Sequence, residues 1–296
     1  MSWFLAPCAN VTHPYCNASM APKERVADLV SRLTILEMVA MLTTATPIER
    51  PADGVMVPSI AGSECLHSAG VDVFQDNGGF KVTNFPTPIA LGASFDPQLV
   101  RSVSAAVAVE ARAKNNVAYS NGGWGWNRGV LCYAPVVNIA RDPRWGRLQE
   151  TYGEDPTMAG MLGAAYVRGL RSGNSTEPLA PPPYQMTVAL VKHLDAYGGP
   201  ENDAAVGPTW NGVRMGFNAE VSEIDLEETF RPAFRASVAA GALGTMCSYN
   251  AINGFPSCAS DALLNGLLRG KLRCGRAREE RMGCKEIPSA ALSAWF

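Results

Sequence analysis

Residues 134–156 read Ala-Pro-Val-Val-Asn-Ile-Ala-Arg-Asp-Pro-Arg-Trp-Gly-Arg-Leu-Gln-Glu-Thr-Tyr-Gly-Glu-Asp-Pro. The apolar run from Tyr133 to Ala140 predicts a buried strand, and it breaks abruptly into a polar loop carrying Arg141, Asp142, Arg144, Trp145 and Arg147. A buried strand that delivers polar side chains at its C-terminal end is how an α/β barrel builds a site for a polar ligand. Downstream, Asp155-Pro156 opens a helix; upstream, Asp96-Pro97 opens another, with Leu99, Val100, Val103, Val107 and Ala111 as its buried stripe. The periodicity predicts a helix over Lys23 to Leu42, facing inward through Val26, Leu29, Val30 and Leu33, and strands at Gly54 to Ile60, Thr187 to Val191 and Leu243 to Ser248. Ser222-x-x-Asp225 is a capping pattern for a helix that turns Leu226, Phe230, Phe234 and Val238 inward. Ser172 to Tyr184, with Pro181-Pro182-Pro183, is a loop, and no internal repeat is evident. Strands alternating with helices at this spacing predict a parallel sheet or an (α/β) barrel.

Composition narrows the classes. The 296 residues are 47% hydrophobic and only 18% charged, enough to bury one large core and too apolar for a disordered or coiled-coil chain. A net charge of -2 gives no basic field, so nucleic acid is not an expected partner. No apolar run approaches the roughly 18 residues of a membrane-spanning helix, so no membrane role is expected. The opening Met1-Ser-Trp-Phe-Leu-Ala-Pro-Cys8 has neither a basic start nor a full apolar core and does not read as a signal peptide. Of the eight cysteines, Cys8 and Cys16 could pair if the protein is exported, while Cys132 and Cys247 sit in apolar runs that also suit buried thiols. Sequons at Asn10, Asn17 and Asn174 support export only weakly. His13, His67 and His193 lack ligand spacing, so neither a metal site nor an organic cofactor is expected.

The polar residues that carry chemistry fall where strands end: Arg141 to Arg147, Lys192-His193, and Tyr249-Asn250. Gathered on one barrel face, they suit a sugar, whose vicinal hydroxyls a planar guanidinium can bridge while aromatic faces cover the apolar side of the ring. Alone, Lys192-His193 could merely cap a strand and Trp145 could be core. The glycines of Asn121 to Gly129 raise a nucleotide-binding alternative, but their spacing is not Gly-x-Gly-x-x-Gly and they precede a strand instead of following one.

The Arg141-Asp-Pro-Arg-Trp-Gly-Arg147 core with Glu150-Thr-Tyr-Gly-Glu-Asp-Pro156 resembles glycoside hydrolase family 3. So do Glu24 to Thr34, Phe85 to Phe95, Glu110-Ala-Arg-Ala113, Lys192-His193 with Ala196-Tyr197, and Met246 to Ala259, the last two being similar to the β-xylosidase and α-L-arabinofuranosidase branch. The resemblance implies a (β/α)8 TIM-type barrel, incomplete at its C-terminal end: an N-terminal extension over 1–22, a partial barrel domain over 23–269 and an unmatched tail over 270–296. It implies an exo-acting, retaining hydrolase that releases terminal sugars from β-linked xylo-oligosaccharides or plant cell-wall polysaccharide fragments, works without cofactor and acts extracellularly. Glu64, Arg147, Lys192, His193 and Tyr249 match positions that contact sugar in that family. Where many glucosidases carry Asp, the longer Glu64 would suit a pentose. The Trp pair expected before Glu64 is replaced by Ile60-Ala61-Gly62, and the Gly after His67 by Ser68, so the choice among xyloside, arabinoside and glucoside stays open.

Retention needs a carboxylate nucleophile and a second carboxyl as acid and base. The family's nucleophile follows a Leu-Leu-x-x-x-Leu-Arg helix, present here as Leu263 to Arg269, but the residues after it contain no Ser-Asp segment. Asp261 follows Ser260 at the start of that helix, where it is expected to cap. These residues alone are therefore expected to be inactive, either as part of a hydrolase or as a non-catalytic carbohydrate-binding remnant.

Overall fold

The computed structural model describes residues 12–17, 19–41, 48–49, 56–57, 82–83, 85–120, 129–173, 185–199 and 216–272. The helix expected over Lys23 to Leu42 is two: α1 (Pro22–Arg32) and α2 (Ile35–Met41). Thr34 causes the break. Its N–H and hydroxyl both bond Glu37 Oε2, at 2.7 and 2.8 Å, and the Glu37 N–H reaches back to Thr34 Oγ1 at 3.3 Å, a reciprocal cap that starts a new helix. Val26 and Val30, expected in the core, are 42% and 45% exposed. The partners of α1 are instead polar: Asp28 accepts from the Tyr15 N–H, and Arg25 donates to the Tyr15 carbonyl. Met56–Val57 (β2) pairs antiparallel with Ile48–Glu49 (β1), and the rest of the strand expected over Gly54 to Ile60 lies outside the described residues.

The core is built where a capped helix follows each strand. After the short α3 (Pro88–Gly92), Asp96 Oδ1 accepts from the N–H groups of Gln98 and Leu99 at 2.8 and 3.1 Å and starts α4 (Pro97–Ser120). Val100, Val103, Val107 and Ala111 are buried as predicted, but Leu99, at the first turn, is 43% exposed. β3 (Leu131–Cys132) precedes the loop, and Asp155 caps α5 (Pro156–Ser172) through the Met158 N–H at 2.7 Å. β4 (Val188–Leu194) follows, then β5 (Asn218–Ala219), α6 (Pro232–Ala239), β6 (Gly244–Cys247), β7 (Ala251–Ile252) and β8 (Phe255–Pro256). β4 lies between β3 and β6, parallel to both, and α5 packs against α4 on one side and α6 on the other. Val137, Leu162, Val167, Leu170, Val191 and Phe234 meet in the core between sheet and helices.

Three local readings change. Tyr133 to Ala140 is largely buried, but among the described residues its ladder pairing with β4 is a single Val136–Lys192 bridge, flanked by Val137 N–H to Lys192 carbonyl and Lys192 N–H to Pro135 carbonyl. Pro135 has no N–H to continue the ladder. The helix after Ser222 is one turn (Glu223–Asp225) and a wider π-type stretch (Leu226–Phe230) before α6, because Pro232 cannot supply an intrahelical N–H. Leu226 and Phe234 still face inward. At the last helix (Ala262–Lys271, also π-type), the cap is Ser260 Oγ, which accepts from the Leu263 N–H at 3.2 Å; Asp261 instead accepts from Asn265.

Cys247 is not a thiol: it closes a disulfide with Cys258, 11 residues on, and Cys16 and Cys132 are also disulfide-bonded. The Cys247–Cys258 link ties the end of β6 to the turn after β8. Replacing both by alanine is expected to cost about 2–3 kcal/mol, from the chain entropy of a loop this short, read as a lower urea midpoint than that of the oxidised chain.

Candidate sugar-holding site

β3, β4 and β6 run parallel, so the segments after them leave one face of the sheet together. Arg147 lies just before a single 3-10 turn, Leu148–Glu150, that swings Glu150 back onto it: Nε to Oε1 at 2.5 Å and Nη2 to Oε2 at 2.7 Å. Both side chains are at most 15% exposed, so this is a buried, bidentate pair. Burial opposes the Arg147 charge, but the Glu150 carboxylate more than offsets it and holds the guanidinium above its ordinary value. The Arg147 Cζ stands 5.7 Å from the centroid of Tyr197.

Tyr197 is the hub of the wall. Its ring meets Trp145 edge-on at 5.5 Å, His193 at 4.9 Å and Tyr249 at 6.2 Å. Tyr197, Trp145, Lys192 and His193 are all buried, and Tyr249 is half-buried. His193 is fixed by Asn138: its backbone N–H donates to Asn138 Oδ1 at 2.9 Å, its carbonyl accepts from Asn138 Nδ2 at 2.9 Å, and its ring Nδ1 is 3.2 Å from the same Oδ1. An amide oxygen only accepts, so a neutral His193 carries its proton on Nδ1.

Three of the five expected sugar contacts, Arg147, His193 and Tyr249, thus meet the Tyr197 ring; Lys192 is buried on β4 beside His193, whereas Glu64 lies outside the described residues, as does 121–128 of the glycine-rich stretch. Other loop residues do different work. Asp142 and Arg144 pair with each other at 2.6 Å on the surface, and the Arg144 hydrogen bond holds the Asp142 carboxyl well below its usual range. Arg141 turns away, with its Cζ 4.5 Å from the Phe230 centroid and Nη2 donating to the Tyr197 carbonyl at 3.0 Å. Asn250 is fully buried and donates to backbone carbonyls beneath the wall.

Sequence reasoning missed Asn138 and Asp195. Asn138 had a signal, being the one amide inside the apolar run Val136 to Ile139. Asp195 is fully buried on the segment between His193 and Tyr197, where its Oδ2 accepts from Arg231 Nε at 3.2 Å and Oδ1 from the Ala196 N–H at 2.7 Å. Nothing at positions 193–197 points to a helix residue as its partner.

Parallel strands, helices between them and a polar wall at the strands' C-terminal ends define a TIM-barrel-like α/β protein. Residues 56–273 match the model of the glycosyl hydrolase family 3 N-terminal domain, and the chain belongs to that family. It is 38% identical over 268 residues to beta-D-xylosidase 3 of Arabidopsis thaliana, covering 87% of this chain and 31% of that protein. Against an exo-1,4-beta-xylosidase of Emericella nidulans it is 36% identical over 263 residues, covering 86% and 31%. A solved family 3 exo-beta-xylosidase in complex with a xylobiose aziridine probe superposes with a TM-score of 0.70 at 31% identity, covering 91% of this chain and 33% of that one. The chain therefore spans about a third of the length of the relatives it matches.

Proposed function

We propose that this chain forms the sugar-holding wall of an extracellular, retaining β-xylosidase, within a partial (β/α)8 barrel over 23–269. The observation that carries the reading is the convergence of Arg147, His193 and Tyr249 around the Tyr197 ring, with Lys192 buried next to His193 on β4. A guanidinium locked by Glu150 is pre-set to bridge vicinal hydroxyls, and half-buried Tyr249 offers a ring face. Its relatives' names supply the substrate class, β-xylosides and xylo-oligosaccharides. Disulfides at Cys16, Cys132 and Cys247–Cys258 fit an oxidising compartment.

One observation favours binding without cleavage by these residues alone. The carboxylates at the wall, Glu150 and Asp195, are each committed to an arginine, Arg147 and Arg231. Among the described residues, neither is left free to act as the nucleophile or the acid/base that retention requires, which supports a reading in which other residues supply both. Xylose titrated into the 296-residue polypeptide is expected to bind saturably, ahead of glucose and arabinose, with no release of p-nitrophenol from its β-xyloside. Absence of saturable binding refutes the wall, and turnover above background refutes the division of labour.

A further inference from the structure

Resting on the sugar-wall reading, the geometry points to Asp195 as the positioning residue of that wall: clamped by Arg231 and by the backbone of the next residue, it fixes the turn that presents Tyr197 to Arg147, Trp145, His193 and Tyr249.

An ionisable side chain with no exposure is costly to bury and is kept only where it is fully engaged. Asp195 is engaged on every side. Its N–H donates to Ser248 Oγ at 3.1 Å, while its carbonyl accepts from Ser248 Oγ at 2.9 Å and Asn250 Nδ2 at 3.4 Å. Its carboxylate holds the Ala196 N–H at 2.7 Å, and Ala196 has φ 52°, a left-handed conformation that a residue with a Cβ adopts only when its surroundings hold it there. Arg141 closes the far side of the same turn by donating to the carbonyls of Tyr197 and Ala196 at 3.0 and 3.4 Å, and a Cβ on Gly198 would run into that guanidinium. The turn between the strand end and the Tyr197 ring is thus fastened by one carboxylate and two arginines.

The charged groups facing Asp195 are Arg231 from the helix side and Arg141 from the loop after the Tyr133 to Ala140 run; Glu223 and Glu227 share the Arg231 guanidinium, and the β6 side offers uncharged Ser248 and Asn250. Burial raises the Asp195 carboxyl above its ordinary value, against the pull of the Ala196 N–H, Arg231 and Arg141. For a raised carboxyl, the contribution to stability is complete below the unfolded value and is lost as pH rises through the folded one. The ionised form therefore costs stability at neutral pH. A neutral isostere relieves that cost, and Arg231 keeps Glu223 and Glu227. A residue retained only as structural glue would behave in the opposite way.

The test is Asp195→Asn in the 296-residue chain labelled with 5-fluorotryptophan, with the Trp145 resonance assigned by its loss in Trp145→Phe. At neutral pH the variant is expected to melt no lower than the wild type, to shift or broaden the Trp145 fluorine resonance as the Tyr197 ring moves, and to bind D-xylose about tenfold more weakly. An unchanged Trp145 resonance, or a lower melting temperature with unchanged xylose affinity, overturns the proposal. If the wild type binds no xylose, the sugar-wall reading falls while the resonance shift still decides the role of Asp195. Should Asp195→Asn fail to fold, Arg231→Lys, which removes the Nε donor but keeps a cation for Glu223 and Glu227, is expected to give the same shift, and its absence overturns the proposal.

Discussion

Arg147→Ala is expected to lower folding stability by about 3–5 kcal/mol, the usual cost of removing one partner from a buried ion pair, and to abolish xylose binding. Glu150 has a side chain only 10% exposed and is bonded by Arg147 through both oxygens. Without the guanidinium it is a buried charge with neither water nor cation to satisfy it. The contact over Tyr197 goes too, a further loss of roughly 1 kcal/mol. Two measurements separate stability from function. First, the urea-denaturation deficit of the variant should shrink as pH falls, because an orphaned buried carboxyl is raised and the stability linked to its proton is present at low pH and lost as pH rises. Second, Arg147→Met combined with Glu150→Leu should regain most of the stability, since a buried pair replaced by apolar groups of similar size is often neutral, while xylose binding stays lost. Recovery of binding in the double variant would show that the wall does not work through this guanidinium.

Much of the framework was legible because it is local. Asp96, Asp155 and Ser222 cap their helices as their sequence positions imply, since a cap oxygen and the N–H groups that donate to it lie within three residues of each other. The buried stripe of α4 follows its periodicity from Val100 to Ala111. What periodicity cannot supply is the element that covers a stripe, so Val26 and Val30 form a regular apolar face that is nonetheless exposed. The wall divides in the same way. Arg147, Lys192, His193 and Tyr249 are conspicuous as polar residues at the ends of apolar runs, and their residue types already fit a sugar. The residues that hold them act across long separations, Asn138 on His193 over 55 positions and Arg231 on Asp195 over 36. Sequence displays the chemistry of such residues but not their partners, and a buried Asp beside a Lys-His pair reads as loop until the Arg231 contact is known.

The second large effect separates two glycines of one helix. Gly169→Ala is expected to destabilise the chain by about 3 kcal/mol, at the upper end of the cost of overpacking, whereas Gly160→Ala, earlier in the same helix α5, should be neutral or stabilising by up to about 1 kcal/mol. Both gain the same helix propensity, so the difference lies in what the new methyl meets. At Gly169 it would overlap Ser104 Oγ, the Arg101 carbonyl oxygen and the Ala105 nitrogen, two of them backbone atoms of α4, which cannot yield without moving the helix. At Gly160 its nearest neighbour is Ala236 Cβ at 3.4 Å, an ordinary contact with α6. Gly169 therefore sets how closely α4 and α5 approach, and α5 in turn packs on the strands that end at the wall. The urea midpoint should fall with Gly169→Ala and hold or rise with Gly160→Ala. Xylose affinity should fall with Gly169→Ala, through displacement of α5 against the sheet, and stay unchanged with Gly160→Ala. Equal midpoints would mean that the α4–α5 contact yields more readily than its backbone-to-backbone approach implies.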